Sequence, residues 1–392
     1  MRRIKEFWKD RRGATTVVMA LAMVPVMSIL GIATDYAKAT SQRNALQQAI
    51  DAAAIAIAKD PDANLISNAD LKARAVAYAN AAVGNSPVDN MSMTVSIDAD
   101  RATLSASGTV KLNFGAFLGA DTLTVASTVT VELSKMKNVE IALVLDNTGS
   151  MGGSKINELK KAVKALIDFF EPRIKNPDDV KIALVPFTNV VRTNSSWMQS
   201  WMLKSTPPNN WQGCVQDRNA PYDITDQPPS AGVGDSLYPV TSSCGGLAEI
   251  IPMTNNLTAI RAAADTMIAS GSTDVPLGIA WGWHALSNGV PLTQGSPDST
   301  PNVMRVMVVL TDGENTAHRW ANDIDARMNL VCSNVKAQNI TVFTVRVLDG
   351  NQTLLRNCAT STAHYFNVTN ASQLTPVFEQ IAQTMSKLRI SK

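Results

Sequence analysis

Carboxylate and hydroxyl side chains stand at alternate positions directly after one apolar run of the chain. Residues 139–145 are typical of a buried parallel strand, and Asp146, Thr148 and Ser150 follow at once. Oxygen ligands of this kind suit hard divalent cations such as Mg²⁺ or Mn²⁺ better than they suit zinc. The segment therefore predicts part of a metal site at the end of a strand.

Two later segments supply further oxygen ligands. Thr273 offers a hydroxyl just before a helical stretch, and Asp312 offers a second carboxylate after the apolar run 304–310. Because parallel strands end at the same edge of a sheet, these groups are expected to meet the first segment there. The alternative is that Asp146 is only a helix cap and residues 311–313 only a turn.

From residue 139 onward, apolar strands alternate with helical stretches, which predicts an α/β domain with a mainly parallel, doubly wound sheet. The predicted strands are 139–145, 181–187, 304–310, 340–347 and 364–367. The predicted helices lie near 155–170, 257–269, 276–287, 323–338, 353–360 and 371–388.

A long connection, about 192–252, interrupts this alternation and is rich in Pro, Gly, Asn, Ser and Trp. Connections of this length are usually functional or partly disordered. Its aromatic residues either pack as a small core of the insertion or form a partner surface. They are Trp197, Trp201, Trp211 and Tyr222.

The N-terminal part of the chain predicts a single membrane span. Residues 15–34 carry no charge and are mostly apolar, and about 20 such residues cross a hydrocarbon core of ~30 Å. Six basic residues precede the run, so the N-terminus is expected in the cytoplasm and the rest outside it. A signal peptide cleaved near residues 31–33 is the alternative.

Residues 35–137 are expected to form a helical stem and a small antiparallel sheet. An alanine-rich stripe marks a helix over 35–59, and a second helix is predicted over 69–82. Period-two alternation then predicts strands at 93–97, 102–106, 109–112 and 123–129, with a turn at 98–100 and a hinge at 134–137.

The four cysteines all follow the membrane segment, so they are expected in an oxidising compartment as two disulfides. We predict one bond between Cys214 and Cys244 inside the insertion and one between Cys332 and Cys358 among the late helices. The wide spacing, without any Cys-x-x-Cys, argues against a zinc site.

Composition and motifs disfavour several other functions. A formal net charge of +2 gives no overall electrostatic attraction to nucleic acid, which we therefore do not expect as a partner. Haloacid-dehalogenase-like phosphatases need a second Asp two residues after the first, where this chain has Thr148. No Gly-x-Gly-x-x-Gly loop follows the first strand, and the three histidines are scattered and expected at the surface or at helix ends. They are His284, His318 and His364.

The oxygen-ligand pattern resembles the metal-ion-dependent adhesion site of von Willebrand factor A domains. Asp146 matches the first Asp of the family pattern, Thr148 and Ser150 its two hydroxyl positions, Thr273 its distant Thr and Asp312 its last Asp. Thr148 stands where Ser is commoner and keeps the oxygen. The resemblance implies a Mg²⁺ or Mn²⁺ ion with one open position, which an acidic side chain of a protein partner fills. It implies binding rather than catalysis.

Nearly the whole chain resembles TadG-type proteins of the Tad (Flp) pilus assembly machinery. The resemblance lies in residues 11–14, 31–36, 211–215, 221–226 and 354–359. Val18 stands where processed prepilins carry Glu, so the helix is read as a permanent anchor.

This resemblance implies three parts: a tip and membrane helix at 1–34, a pseudopilin-like region at 35–137 and the adhesion domain at 138–392. It places the protein in the bacterial inner membrane with its bulk in the periplasm or outside, bound to pilus assembly components. A passive envelope scaffold and a Mg²⁺-dependent phosphohydrolase remain the alternative functions.

Overall fold

The computed structural model describes residues 14–60, 68–83, 89–98, 101–115, 119–132, 138–316 and 323–388. The chain divides into two compact units, Met1–Lys135 and Met136–Lys392. The basic N-terminal tip, the hinge at 134–137 and part of the turn at 98–100 lie outside the described residues, and so does His318.

The first unit begins with one long helix, α1 (Ala14–Ala58), followed by α2 (Asn68–Val83). The predicted membrane helix and stem helix are therefore one element without a break. Residues 18–30 of α1 are almost entirely exposed, whereas its C-terminal half buries Leu46, Ile50 and Ile57. Among the described residues, α1 is the one helix whose length and composition would let it cross a membrane.

An antiparallel sheet completes this unit, with β1 (Asp89–Asp98), β2 (Arg101–Lys111) and β3 (Thr122–Glu132) in that order. The stripe of α1 and the face of α2 pack on the sheet's apolar side, including Leu104. The prediction of separate strands at 102–106 and 109–112 was wrong, because β2 runs straight through Gly108, which stays in register opposite Val125.

The second unit is built on a sheet whose order places its first strand in the middle. Its parallel strands are β4 (Asn138–Asp146), β5 (Val180–Phe187), β9 (Val303–Thr311), β10 (Thr341–Val347) and β11 (Tyr365–Val368). They are parallel, in the order β11-β10-β9-β4-β5. The chain crosses from one side of β4 to the other between β5 and β9, so the switch point lies at β4.

Helices cover both faces of this sheet, which confirms the predicted doubly wound fold. They are α3 (Ser154–Phe170), α4 (Leu257–Thr266), α5 (Val275–Leu286), α6 (Ile324–Ala337), α7 (Gln352–Cys358) and α8 (Leu374–Leu388). Alternate residues of β4 serve the two cores: Leu143 points to the α3 and α8 side, and Val144 to the α5 side.

Helix α5 is buried along its whole length. One side lies against β4, where a Cβ on Gly282 would come within 2.4 Å of Val144 Cγ2, so glycine permits the close approach. Its other side is covered by the insertion, with Tyr238 against Trp281 at 5.1 Å between ring centroids. A helix that is apolar all round is stable only when enclosed in this way.

The insertion lies entirely within the described residues and adds an antiparallel edge that the sequence did not predict. Its short strands are β6 (Val191–Arg192), β7 (Cys214–Val215) and β8 (Ile251–Thr254). β8 pairs with β5, while β6 and β7 extend the sheet. The predicted last helix also begins later than 371, because Ala371–Gln373 form a 3₁₀ turn before α8.

Candidate metal centre

The register of two adjacent strands brings the first polar groups of the site together. β4 and β9 pair in parallel up to Leu145 opposite Leu310. The next residue on each strand is polar, Asp146 on one and Thr311 on the other, and both side chains are buried. The site therefore starts on the rigid strand ends at the topological switch point, where α/β sheets bind their ligands.

Asp146 is held at both carboxylate oxygens. The backbone N–H of Thr148 donates to Oδ1 at 2.8 Å, and Thr311 Oγ1 donates to Oδ2 at 2.6 Å. Such charge-assisted hydrogen bonds fix the orientation of a carboxylate. The side chain therefore cannot turn away from the edge of the sheet.

A chain of hydrogen bonds links the hydroxyl groups to the second carboxylate. Thr148 Oγ1 lies 3.0 Å from Ser150 Oγ, and Ser150 Oγ donates to Asp312 Oδ1 at 2.6 Å. The other oxygen of Asp312 accepts from Lys155 Nζ at 2.6 Å. Four of the predicted ligands, all but Thr273, thus belong to one network.

Thr273 reaches the same site from the loop before α5. Gly149 N–H donates to Gly271 C=O at 2.9 Å, which fastens this loop to the first one. A Cβ built on Gly313 would lie 3.4 Å from Thr273 Oγ1 and 3.6 Å from Ser150 Oγ. Both hydroxyls therefore border the same small space beside Gly313, and a larger residue at that position would fill it.

The site holds more negative than positive charge. Burial raises the pKa of Asp146 to about 6; the hydrogen bonds from Thr148 and Thr311 lower it, and the nearby Asp312 carboxylate raises it. A bound cation would oppose that rise, because it favours the ionised carboxylate. The buried carboxylates are therefore suited to bind a cation at the carboxyl ends of β4 and β9.

The donor set fits a hard divalent cation. Two carboxylates and three hydroxyls offer oxygen only, the chemistry that Mg²⁺ and Mn²⁺ prefer. Across the described residues, no group of three or more His, Cys, Asp or Glu side chains could hold a metal ion. This mixed hydroxyl and carboxylate cluster is thus the candidate that the described residues provide.

Two family models match the chain. The model described as "Putative Flp pilus-assembly TadE/G-like" matches residues 13–59, and that of the von Willebrand factor type A domain matches 140–205 and 254–380. The chain therefore has a TadE/G-like N-terminal segment and a von Willebrand factor type A domain. The gap between the two stretches that the A-domain model matches, 206–253, coincides with most of the insertion. The insertion therefore interrupts the A domain.

The solved structures that are similar to this chain include three that are each under 20% identical to it in sequence. The mussel byssus protein PTMP1, with zinc in its MIDAS motif, is 15% identical with a TM-score of 0.37 and covers 64% of this chain and 46% of its own. The pilus adhesin SpaC of Lactobacillus rhamnosus GG is 12% identical, TM-score 0.42, with 77% and 35% covered.

The A domain of the pilus tip protein Mfa5 of Porphyromonas gingivalis is 12% identical with a TM-score of 0.39, covering 66% of this chain and 98% of its own. This chain spans about half the length of PTMP1, at 46%. Among curated proteins, none matches the sequence.

The sequence did not predict the role of two residues at the A-domain site. Thr311 holds Asp146, and Lys155 holds Asp312. Thr311 could have been found by extending the pairing of the two strands by one residue. Lys155 gives no such signal, because its partner lies 157 positions further along the chain.

The two histidines among the described residues, His284 and His364, are not at this site. His284 lies at a helix end, as predicted, in the last turn of α5. It is buried, with Nε2 2.9 Å from Tyr238 Oη. Its surroundings are the core under the insertion. His364 is half-buried, with Nδ1 2.7 Å from Ser361 Oγ and its ring against Phe343.

The aromatic residues of the insertion do not form a separate small core. Trp197 and Trp211 are half-buried and pack against the core shared by the sheet and α5, and Trp211 Nε1 donates to Cys214 C=O. Tyr222 is half-buried under the Arg218 guanidinium. Trp201 is 42% exposed, so it is the member of the group that could contact a partner.

The structure contains both disulfides, Cys214–Cys244 and Cys332–Cys358, with Cα–Cα distances of 5.4 Å and 5.1 Å. The first joins β7 to the end of the insertion, and the second joins α6 to α7.

Proposed function

We propose that this protein captures a protein partner through a divalent cation at the A-domain site, as a membrane-anchored component of Tad pilus assembly or adhesion. The observation that carries the proposal is the convergence of oxygen ligands from three separate segments at one strand edge. They are Asp146, Thr148, Ser150, Thr273 and Asp312.

The protein's own residues prepare this site before any ligand arrives. Thr311 and the Thr148 backbone hold Asp146, while Ser150 orients Asp312. Gly313 leaves the space between the hydroxyls open. A bound Mg²⁺ or Mn²⁺ would supply a Lewis-acidic position that a partner's carboxylate can occupy.

Binding accounts for the site better than catalysis does. A metal-assisted hydrolase needs a group that carries a proton near the reacting atoms. Position 148 is a threonine, and the buried His284 is hydrogen-bonded to Tyr238 in the core below the insertion. The ammonium group of Lys155, which lies beside the site, is already paired with Asp312.

The test uses the full chain purified in detergent. Calorimetric titration with Mg²⁺ and with Mn²⁺ should give saturable heat that Asp146→Ala abolishes. Asp178→Ala is the matched control, because Asp178 is an exposed carboxylate of the same unit, paired with Lys181. Absence of heat in the unmodified protein would leave the passive scaffold as the better account.

Partner capture is tested separately. Crosslinking in the native envelope should trap proteins that are lost with EDTA and with Asp146→Ala, and kept with Asp178→Ala. A partner set that neither change alters would contradict metal-dependent binding. Metal-dependent hydrolysis of p-nitrophenyl phosphate, lost in Asp146→Ala, would support the phosphohydrolase instead.

We propose further that α1 anchors the protein in the inner membrane with the N-terminus in the cytoplasm and the A domain in the periplasm. The exposed apolar half of the helix supports this placement. Alkaline phosphatase fused after Lys137 should be active, and β-galactosidase fused there inactive. The reverse pattern would overturn the orientation, and a mature protein that begins near Asp35 would indicate a cleaved signal peptide.

A further inference from the structure

One lysine adjoins the proposed metal site and is not one of its ligands. We propose that Lys155 tunes this site: its ammonium group neutralises Asp312 while the cation is absent, and it leaves surplus positive charge for an acidic ligand once the cation is bound. The inference rests on the proposed metal-dependent binding and adds a residue that sets its strength and its selectivity.

The contact between the two residues is short and enclosed. Lys155 Nζ lies 2.6 Å from Asp312 Oδ2; the Asp312 side chain is 0% exposed and that of Lys155 17%. The second oxygen of Asp312 is taken by Ser150 at 2.6 Å. Because a buried carboxylate without a partner is strongly destabilising, Lys155 is what makes an ionised Asp312 tolerable without metal.

The local structure gives no other reason for a lysine here. Lys155 is the second residue of α3, which begins at Ser154, and a helix N-terminus carries partial positive charge that disfavours cations. Its other acidic neighbour, Asp349, is 3.8 Å away and 81% exposed, so that contact contributes little. The placement of Lys155 is therefore explained by Asp312.

The charges at the site decide what it prefers to bind. Asp146 and Asp312 bring two negative charges and Lys155 one positive charge, so the ligands together with Lys155 carry one net negative charge. A divalent cation makes the loaded site singly positive, and a carboxylate from a partner then completes neutrality. Without Lys155 the loaded site would already be neutral, and an acidic ligand would gain less from it.

The same charges set the affinity for metal. An ammonium group hydrogen-bonded to Asp312 repels an incoming cation and competes for that carboxylate. Removing it should therefore strengthen metal binding while weakening the capture of an acidic ligand. Two changes in opposite directions distinguish this role from general damage to the fold, which would weaken both.

The experiment compares the unmodified full chain with Lys155→Met, which keeps most of the aliphatic stem and removes the charge. By calorimetry, Lys155→Met should bind Mn²⁺ about tenfold more tightly. Glutarate, measured through the water-proton relaxation of the bound Mn²⁺, should bind at least about threefold more weakly. Lys161→Met is the control, because Lys161 lies on the same helix, is 66% exposed and pairs with Glu158; it should change neither value.

Thermal unfolding gives a readout that does not depend on ligand binding. In EDTA, Lys155→Met should melt at a lower temperature than the unmodified protein, and saturating Mn²⁺ should reduce that difference. If Lys155→Met does not fold, Lys155→Gln takes its place, because it removes the charge and keeps a hydrogen-bond donor beside Asp312. Lys155→Gln should likewise bind Mn²⁺ more tightly than the unmodified protein.

Unchanged or weaker Mn²⁺ binding on removal of Lys155 would overturn the tuning role. So would glutarate binding that stays the same. If the unmodified protein itself binds no Mn²⁺, the proposed function fails, and a melting difference in EDTA would then show Lys155 to be only a structural partner of Asp312.

Discussion

Thr311 Oγ1 donates a 2.6 Å hydrogen bond to Asp146 Oδ2 across two neighbouring parallel strands. The strand pairing ends one residue earlier, at Leu145 and Leu310, so this side-chain contact continues the register of the sheet. It ties the first ligand of the proposed metal site to the β4–β9 core instead of to a loop. The orientation of Asp146 is thus a property of the fold and does not need a bound ion.

Replacing Thr311 by Val keeps the shape of the side chain and removes this hydrogen bond. The loss should cost about 1–3 kcal/mol of unfolding free energy, because a buried charged acceptor loses a donor. Mn²⁺ binding should also weaken, since Asp146 is no longer held in place. Urea unfolding and calorimetry check both effects. Thr311→Ser keeps the hydroxyl and should behave like the unmodified protein; equal losses in the Ser variant would assign the effect to the methyl group.

The strand ends could be predicted from the sequence because buried parallel strands are continuous apolar runs. The alternation of strands and helices placed Asp146 at the end of one such strand and Asp312 just after another, and the switch-point rule predicted that they meet at one edge of the sheet. The Lys155–Asp312 pair could not be found this way, because no local pattern relates a helix start to a strand end so distant in sequence. The antiparallel edge was missed because β6 and β7 are too short to show period-two alternation.

Asp146→Asn should not destabilise the metal-free protein. Ionising a carboxylate that is 0% exposed costs free energy, and an amide can still accept from the Thr148 N–H and donate to Thr311 Oγ1. In EDTA at pH 7.5, we expect a melting temperature equal to or above that of the unmodified protein, with Mn²⁺ binding lost. A markedly lower melting temperature would mean that the Asp146 carboxylate serves the fold as well as the site.

His284 should make the stability of the A domain depend on pH. Burial, and then the Arg218 guanidinium, hold the pKa of His284 well below its ordinary value of 6.5. The folded protein therefore keeps the ring neutral while the unfolded chain takes up a proton below pH 6.5. The stability contributed by the neutral ring is present above that pH and is lost as the pH falls, by up to about 1.4 kcal/mol per pH unit.

His284→Gln removes the titrating ring and leaves an acceptor for Tyr238. Between pH 7.5 and 5.5, unfolding free energy should fall more for the unmodified protein than for this variant. The comparison cancels the contribution of the buried aspartates to the pH dependence of stability. Burial raises the pKa of Asp217, for example, well above its ordinary value, so its contribution has the opposite sign. Parallel pH profiles for the two proteins would contradict the assignment to His284.

The bond between Cys332 and Cys358 should contribute substantially to the stability of the second unit. It joins α6 to the end of α7 across a sequence separation of 26, and both cysteines are buried. In the loop-entropy account, a cross-link of this span stabilises by about 3–4 kcal/mol, mainly by restricting the unfolded chain. Cys332→Ala/Cys358→Ala should lose about that much in urea unfolding under non-reducing conditions. With reductant, the unfolding free energy of the double variant should fall further only by the contribution of Cys214–Cys244. Peptide mapping of the unmodified protein should find no free thiol. Crossed pairs in that map, or a double variant as stable as the unmodified protein, would contradict the prediction.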